Sequence, residues 1–348
     1  MMQRLLRGRL LYLVMGLLVL FLYLQGAWLG PTESLDMGPP QPGAPPAVGW
    51  ERALDAQTLK QAAVQQPRVA LLLTAMTILV AAVGLVGLWL GLRSLVTGQW
   101  RSAWRIPRGR LAGWSFGELG RIMVLTFMMA SLLPFARMAL LAYQPTWEAD
   151  RRFWLPFAML VVDGFAILVI LTFASWKGRS VWQAFGLSRE TLGRSIAVGL
   201  QGYVMLFPWM LGLLFVVVEV ARAVGYQPPM EPIHQLIFQE RRAQILRLTV
   251  VLACVVGPVA EELFFRGVIY TAIRQRASRA VAMTASAALF ALIHMNTLGF
   301  LPILVLGCLL ADVYERTGSL AGPLVVHIVH NTFLMGLALS FRSIVSLA

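Results

Sequence analysis

The sequence predicts an all-α protein, a polytopic membrane helix bundle with about eight or nine transmembrane helices. Hydrophobic residues make up 58% of its 348 positions and charged residues only 13%, and the mean hydropathy is +0.73. Soluble domains average about 45–50% apolar and about 25% charged residues. The apolar residues also form runs of about 20, the length that a helix needs to cross about 30 Å of hydrocarbon. Helices suit that environment because they satisfy their own backbone hydrogen bonds.

Nine apolar spans underlie this prediction. They lie at residues 10–29, 69–92, 120–143, 153–175, 196–222, 247–273, 280–296, 299–316 and 319–341. The spans at 280–296 and 299–316 are short for a full crossing. We therefore expect one of them to be tilted, re-entrant or packed wholly against protein.

The N-terminal segment is predicted to be an anchor followed by a linker. Its first span has a basic start and an apolar core of about 20 residues, longer than the 7–15 residues of a signal peptide. Residues 30–48 are rich in Pro and Gly, which favours a linker. Residues 50–66 are predicted to form a short amphipathic surface helix.

Basic residues set the predicted orientation and compartment. If the N-terminus is inside, the inner segments carry roughly twice as many Lys and Arg residues as the outer ones, as expected for cytoplasmic loops. This asymmetry accounts for the net charge of +13, so we expect no nucleic-acid partner. The basic residues are almost all Arg, which favours a GC-rich bacterial genome. The sequence thus indicates a multi-pass protein of the bacterial cytoplasmic membrane with its N-terminus inside.

Three polar motifs lie in three of the last four spans. They run from Glu261 to Arg266, from Phe290 to His294 and from His327 to Asn331. An ionised residue at the centre of a membrane helix costs about 2.5–3.5 kcal/mol, so such residues normally face a polar interior and carry function. At about 1.5 Å per residue, the polar groups of the three helices fall within one layer about 8 Å thick.

The residue types in this layer suit a hydrolase that uses water. A carboxylate in apolar surroundings is a stronger base than in water, which makes Glu261 a candidate general base. His294 is placed to share or hold that water. His327 and Asn331 are four residues apart on one helix face and are candidate donors to an oxyanion.

The second acid of the first motif has a predicted structural partner. Glu262 and Arg266 are four residues apart, so they can pair along one helix face, whereas Glu261 is rotated by about 100°. Pro258 removes a backbone hydrogen bond three residues before Glu261 and is expected to break the helix there, which would open carbonyl groups beside the base.

A metal site is an alternative chemistry for the same residues. Glu261, His294 and His327 form a reasonable Zn²⁺ ligand set with an open fourth position. No His is followed by Glu in this chain, so the His-Glu-x-x-His helix of zincins is excluded. Metal-free and metal-assisted hydrolysis both remain open from the sequence.

The motifs carry a family resemblance. Glu-Glu-x-x-x-Arg, Phe-x-x-x-His and His-x-x-x-Asn, in this order on successive membrane spans, resemble the CAAX-protease and bacteriocin-processing (abortive-infection) family of intramembrane peptidases. Residues 314–320 also look like that family's segment. The resemblance extends over residues 245–340, and the first 240 residues carry none that we identify. It divides the chain into an anchor and linker (1–68), membrane helices of unassigned role (69–240) and a catalytic membrane domain (241–341).

The resemblance implies an endopeptidase acting on a peptide or protein with a membrane-associated segment. It implies that Glu261 is the water-activating base, that His294 assists it, and that His327 and Asn331 stabilise the oxyanion. The family is often labelled a metallopeptidase family, which keeps Zn as a candidate cofactor. Its eukaryotic members trim prenylated C-terminal tripeptides. A bacterial member is expected to cleave another substrate, such as a leader peptide, a bacteriocin or a C-terminal sorting signal.

The sequence also allows two other functional classes. An ion-coupled transporter would often show inverted repeats, which we do not find. A non-catalytic immunity or binding protein would not need an intact set of polar motifs.

Arg137 and Asp163 lie in neighbouring spans and are predicted to form a structural ion pair. Asp312 is either structural or a partner of the polar layer, and His330 is expected to pack between helices.

Overall fold

The computed structural model describes residues 12–17, 64–98, 113–144, 151–178, 180–226 and 232–345. Of the predicted first span (10–29), the described ranges contain residues 12–17, which are helical. The predicted linker (30–48) lies outside them, as does most of the helix predicted at 50–66.

Within the described ranges all regular structure is helical, and six helices are long and apolar enough to cross a membrane. They are α1 (Pro67–Val96), α2 (Phe116–Tyr143), α3 (Arg151–Trp176), α5 (Arg189–Ala223), α7 (Ala243–Arg274) and α10 (Ala321–Val345). Shorter helices after residue 64 are α4 (Val181–Ala184), α6 (Pro232–Gln239), α8 (Arg279–Ile293) and α9 (Phe300–Thr317). The predicted all-α polytopic bundle is confirmed.

The two spans expected to be short correspond to α8 and α9. These helices pack closely against each other, and α9 also contacts α5 and α10. The last two turns of α9 carry three charged residues, Asp312, Glu315 and Arg316, which separates it from the purely apolar spans. Helix α9 is thus packed largely against protein, whereas α8 leaves Leu289, Leu292 and Ile293 exposed.

Helix α7 is the central element of the bundle. Half of its most apolar stretch is buried inside the protein, whereas none of the corresponding stretch of α1 or α2 is buried. It contacts α3, α8, α9 and α10. The side chains of Phe265, Val268 and Tyr270 in α7 belong to the largest hydrophobic cluster. This position explains why its polar residues meet polar residues of other helices rather than lipid.

The break expected at Pro258 takes the form of two π-helical stretches in α7. Residues Leu252–Val256 and Glu262–Tyr270 are π-helical and flank a short α-helical piece, Gly257–Glu261. In the first stretch the Gly257 N–H donates to the Leu252 carbonyl, five residues back. Such π-turns occur frequently at functional sites.

A close backbone contact joins the loop after α4 to the turn between α9 and α10. The Leu320 N–H donates to the Phe185 carbonyl at 3.0 Å. Gly186 has a φ of +65°, and a Cβ there would lie 1.8 Å from the Gly318 carbonyl oxygen. Only glycine satisfies both the backbone conformation and the contact.

Gly186→Ala is therefore expected to destabilise the protein more than Gly178→Ala. Both glycines have positive φ, where alanine costs about 1 kcal/mol or more, but nothing lies within 4 Å of a Cβ at Gly178. Thermal unfolding of the purified protein in detergent, followed by tryptophan fluorescence, measures both variants. Equal unfolding midpoints would contradict a role for the Gly186–Gly318 contact.

Candidate active site

Three helices bring one acid and two imidazoles together. Glu261 lies in α7, His294 caps the C-terminus of α8, and His327 lies in α10. Glu261 Oε2 is 4.0 Å from His294 Nε2 and 3.5 Å from His327 Nε2. The side chains of Glu261 and His294 are 28% and 29% exposed, whereas His327 is buried. The group is thus reachable from one side and enclosed on the other.

The hydrogen bonds of the two histidines fix which nitrogen carries the proton. His294 Nδ1 lies 2.7 Å from the Phe290 carbonyl oxygen, and His327 Nδ1 lies 2.8 Å from Glu262 Oε1. Because these oxygens are acceptors, each Nδ1 is assigned as the N–H donor. Both neutral rings then present the lone pair of Nε2 toward Glu261.

Three acceptor atoms therefore face one another around Glu261. Glu261 Oε2 is itself buried and has no hydrogen-bond partner among the described residues. Buried polar atoms are nearly always paired. The arrangement calls for a group that donates hydrogens or carries positive charge between these atoms, such as a water molecule, a proton on one histidine or a cation.

Glu262 and Arg266 form the predicted ion pair at the centre of this site. Arg266 Nη1 donates to Glu262 Oε1 at 2.7 Å, and both side chains are 1% exposed. Arg266 Nη2 also donates to the Gly307 carbonyl at 3.3 Å. The same Glu262 oxygen accepts from His327, so one carboxylate oxygen joins the arginine to the imidazole.

Phe290 orients three of these polar groups with one aromatic ring. The Arg266 guanidinium lies 4.3 Å from the ring centroid, a cation–π contact. The rings of His294 and His327 meet the Phe290 ring edge-on, with centroids 4.6 Å and 5.6 Å away. The sequence did not predict this role of Phe290. The available signal was the position of Phe290 one helical turn before His294.

Asn331 occupies the break in α7. Its Nδ2 donates to the Ala253 carbonyl at 2.9 Å. In the five-residue bonding pattern of this π-turn, the N–H of residue 258 would reach that carbonyl, and Pro258 has none. Asn331 thus replaces a backbone donor that the proline removes. One of its two amide hydrogens is used in this way, and the second is not needed for the contact.

Two of the other polar residues have structural partners. His330 Nδ1 lies 2.9 Å from the Tyr203 hydroxyl, a contact between α10 and α5. Asp312 pairs with Arg279, and its second oxygen lies 3.5 Å from Arg316. For Asp312 the structural alternative is the one that these contacts support.

The predicted ion pair between Arg137 and Asp163 is wrong. The Arg137 guanidinium lies over the Trp154 ring, 5.9 Å from its centroid. Asp163 instead faces α7, with Oδ2 3.9 Å from the position of a Cβ on Gly257. The order of spans along the chain gives no information about which face of one helix points to the other, so their position in neighbouring spans did not imply contact.

The candidate metal ligands have suitable chemistry but not metal-site spacing. Zn²⁺ ligands lie about 2.0–2.2 Å from the metal, which places the donor atoms of a tetrahedral site about 3.4 Å apart. His327 Nε2 meets this spacing from Glu261 Oε2, whereas His294 Nε2, at 4.0 Å, does not. In the described part of the chain, no group of three or more His, Cys, Asp or Glu side chains is arranged to hold a metal ion.

Fold and site together define a multi-pass helical membrane protein with the polar motifs of a membrane peptidase. Residues 243–333 match the family model "Type II CAAX prenyl endopeptidase Rce1-like". A curated relative, "Putative membrane peptidase YdiL" of Bacillus subtilis (strain 168), is 28% identical over 92 residues, or 26% of this chain and 38% of the relative. The match thus spans less than half of that relative. No solved structure matches the chain.

These matches confirm the resemblance that the motifs indicated. Both the family model and the relative align with about one quarter of the chain, and the family match begins and ends inside α7 and α10. This segment contains every residue of the three motifs. The helices before residue 243 lie outside the family match.

Arg266→Met is expected to destabilise the fold by about 3–5 kcal/mol, because it leaves the buried Glu262 carboxylate uncompensated. The double variant Glu262→Met, Arg266→Met should recover most of that loss, apart from about 1–3 kcal/mol for the unpaired His327 Nδ1. Thermal unfolding in detergent measures both variants.

The control is Arg222→Met, which breaks the exposed Glu219–Arg222 pair. An exposed pair contributes about 0–1 kcal/mol, so this variant should unfold close to the parent protein. If the double variant proved less stable than Arg266→Met alone, charge compensation would not be the reason for the pair.

Proposed function

We propose that this protein is an intramembrane endopeptidase in which Glu261 activates water to hydrolyse a peptide bond. The observation that supports it most is Glu261 Oε2, a buried acceptor without a hydrogen-bond partner among the described residues, facing the Nε2 atoms of His294 and His327. A water molecule between these atoms can donate to two of the three acceptors, and the third acceptor needs a proton from another source.

The charges of the site favour one additional proton on His327. Glu261, Glu262 and Arg266 together carry one net negative charge, and buried charges are tolerated when they are balanced. His327 lies between the two carboxylates, with Nδ1 toward Glu262 and Nε2 toward Glu261. A protonated His327 neutralises the group and turns Nε2 into a donor.

The proposed reaction begins with water held by Glu261 and His294. Glu261 takes one proton as the water oxygen attacks the peptide carbonyl carbon. The carbonyl oxygen becomes an oxyanion, which accepts from His327 Nε2 and from the remaining amide hydrogen of Asn331. The C–N bond then breaks, and Glu261 returns its proton to the leaving amine.

Glu262, Arg266 and Phe290 act as positioning residues in this scheme. Glu262 holds His327 through Nδ1, and Arg266 fixes Glu262 while lying on the Phe290 ring. The Phe290 carbonyl holds His294 through Nδ1. Supporting contacts of this kind keep reacting groups in register, and small displacements reduce rate strongly.

A metal remains a candidate cofactor for the same donors. Glu261, His294 and His327 would hold Zn²⁺ if His294 moved closer, and the Glu262–His327 contact matches the carboxylate–histidine support that metal ligands commonly have. The metal would supply a water of lowered pKa. No step above depends on it.

The location of the site limits the proposed substrate. Glu261 lies within a helix that is apolar and long enough to cross a membrane, so we propose a substrate with a membrane-associated segment. A leader peptide, a bacteriocin or a C-terminal sorting signal fits this requirement. We propose that the protein works in the bacterial cytoplasmic membrane with its N-terminus inside, as its charge distribution favours.

Glu261→Gln is expected to lower the cleavage rate by roughly 10²–10⁴-fold or more, because an amide keeps the shape but cannot accept the proton. Cleavage of an apolar peptide by the protein in proteoliposomes, followed by mass spectrometry, measures it. Glu219→Gln is the matched control on the exposed Glu219–Arg222 pair and should keep the parent rate.

Glu262→Gln should lower both rate and stability, since it weakens the contacts to Arg266 and His327. The same cleavage assay and thermal unfolding separate the two effects. If the Glu261→Gln variant cleaved at the parent rate, Glu261 would not be the base. If the parent protein bound the peptide specifically but did not cleave it, a non-catalytic binding protein would be favoured.

A strong chelator separates the two ways of activating water. Because the metal-free scheme uses only side chains of this protein, we expect cleavage to be unchanged after chelation and after added Zn²⁺. Loss of activity on chelation, restored by Zn²⁺, would favour metal-assisted hydrolysis at the same three residues. Elemental analysis of the purified protein provides an independent measurement.

A further inference from the structure

Asp163 is a carboxylate of α3 that the scheme above does not use. It lies outside the family-matched segment, in a helix apolar enough to cross a membrane. It is partly exposed and makes no hydrogen bond or ion pair with another described residue. An acid in such a helix is expensive and is a candidate functional residue.

The position of Asp163 places it beside the proposed base. Its Oδ2 lies 3.9 Å from the position of a Cβ on Gly257. Gly257 and Glu261 are four residues apart in an α-helical piece, so they share a face about one turn apart.

Among the described residues no Lys or Arg pairs with Asp163, whereas three other acids each have an arginine partner. Glu262 pairs with Arg266, Asp312 with Arg279, and Glu240 with Arg242. Arg137, the arginine expected to pair with Asp163, lies over Trp154 instead. The formal charges of Glu261, Glu262 and Arg266 already sum to one net negative charge, so Asp163 adds a second negative charge that a bound positive group would balance.

We propose that Asp163 determines substrate specificity by binding a positively charged group of the peptide, a Lys or Arg side chain or a terminal amine, close to the bond that is cleaved. This inference rests on the proposed peptidase function. One helical turn is about 5.4 Å, and an extended peptide advances about 3.3 Å per residue. The charged group is therefore expected one or two residues from the scissile bond.

The test compares cleavage preferences of the full chain in proteoliposomes. The probe is a pool of synthetic peptides with one constant apolar segment and randomised positions around it, and mass spectrometry identifies the cleaved bonds. We expect Lys, Arg or a free amine to be enriched at one fixed position within two residues of the cleaved bonds, by at least about tenfold over norleucine.

Variants of Asp163 link that preference to the carboxylate. Asp163→Asn should abolish the enrichment while uncharged peptides are still cleaved, and Asp163→Glu should retain part of it. Asp163→Lys should reverse the preference toward Glu and Asp. Glu219→Gln is the control and should keep the enrichment. Unfolding temperatures of all variants show whether each is folded.

Several results would overturn the inference. The inference is overturned if the parent protein cleaves without a preference for Lys, Arg or a free amine. It is also overturned if the Asp163→Asn variant keeps that preference and only its cleavage rate falls. Both results leave the peptidase proposal intact. A parent protein that cleaves no more than Glu261→Gln would instead remove the proposed function, and this inference with it.

Discussion

The site depends on one buried carboxylate oxygen, Glu262 Oε1. It accepts from Arg266 at 2.7 Å and from His327 at 2.8 Å, so it connects α7 to α10. Taking such charges out of water costs several kcal/mol per ion, which only pairing and further hydrogen bonds offset. Arg266 meets this need by lying on Phe290 and by donating to Gly307 of α9. The polar core thereby fixes the relative positions of four helices.

The irregular backbone of α7 is the second constraint. Pro258 cannot donate a hydrogen bond, and the resulting π-turn leaves the Ala253 carbonyl for Asn331. An unpaired carbonyl in an apolar region would cost about 1–3 kcal/mol. The same contact holds Asn331 in place, one turn along α10 from His327. A local defect in one helix therefore positions a side chain of another.

The sequence predicted the helices and the local pairs better than the contacts between helices. Length and apolarity located the spans from residue 69 onward, and four-residue spacing predicted the Glu262–Arg266 pair. Neither the apolarity of a span nor the spacing within it predicts how one helix is rotated relative to another, because a span is apolar on both its lipid-facing and its protein-facing side. This is why Asp163 was paired with Arg137 rather than placed beside Gly257, and why the Glu262–His327 contact was not foreseen.

Adjacent acids in α7 illustrate how one sequence motif yields two different environments. Glu262 is enclosed and is paired through Oε1 with an arginine and an imidazole, whereas Glu261 is partly exposed; in both acids Oε2 has no hydrogen-bond partner among the described residues. A rotation of about 100° between neighbours separates them. If both carboxylates were paired with positive groups, neither could serve as a base. If both were left unpaired, repulsion between the two negative charges would favour a proton on one of them. In the mechanism that we propose, Glu262 therefore holds the site together and Glu261 remains free to act as the base.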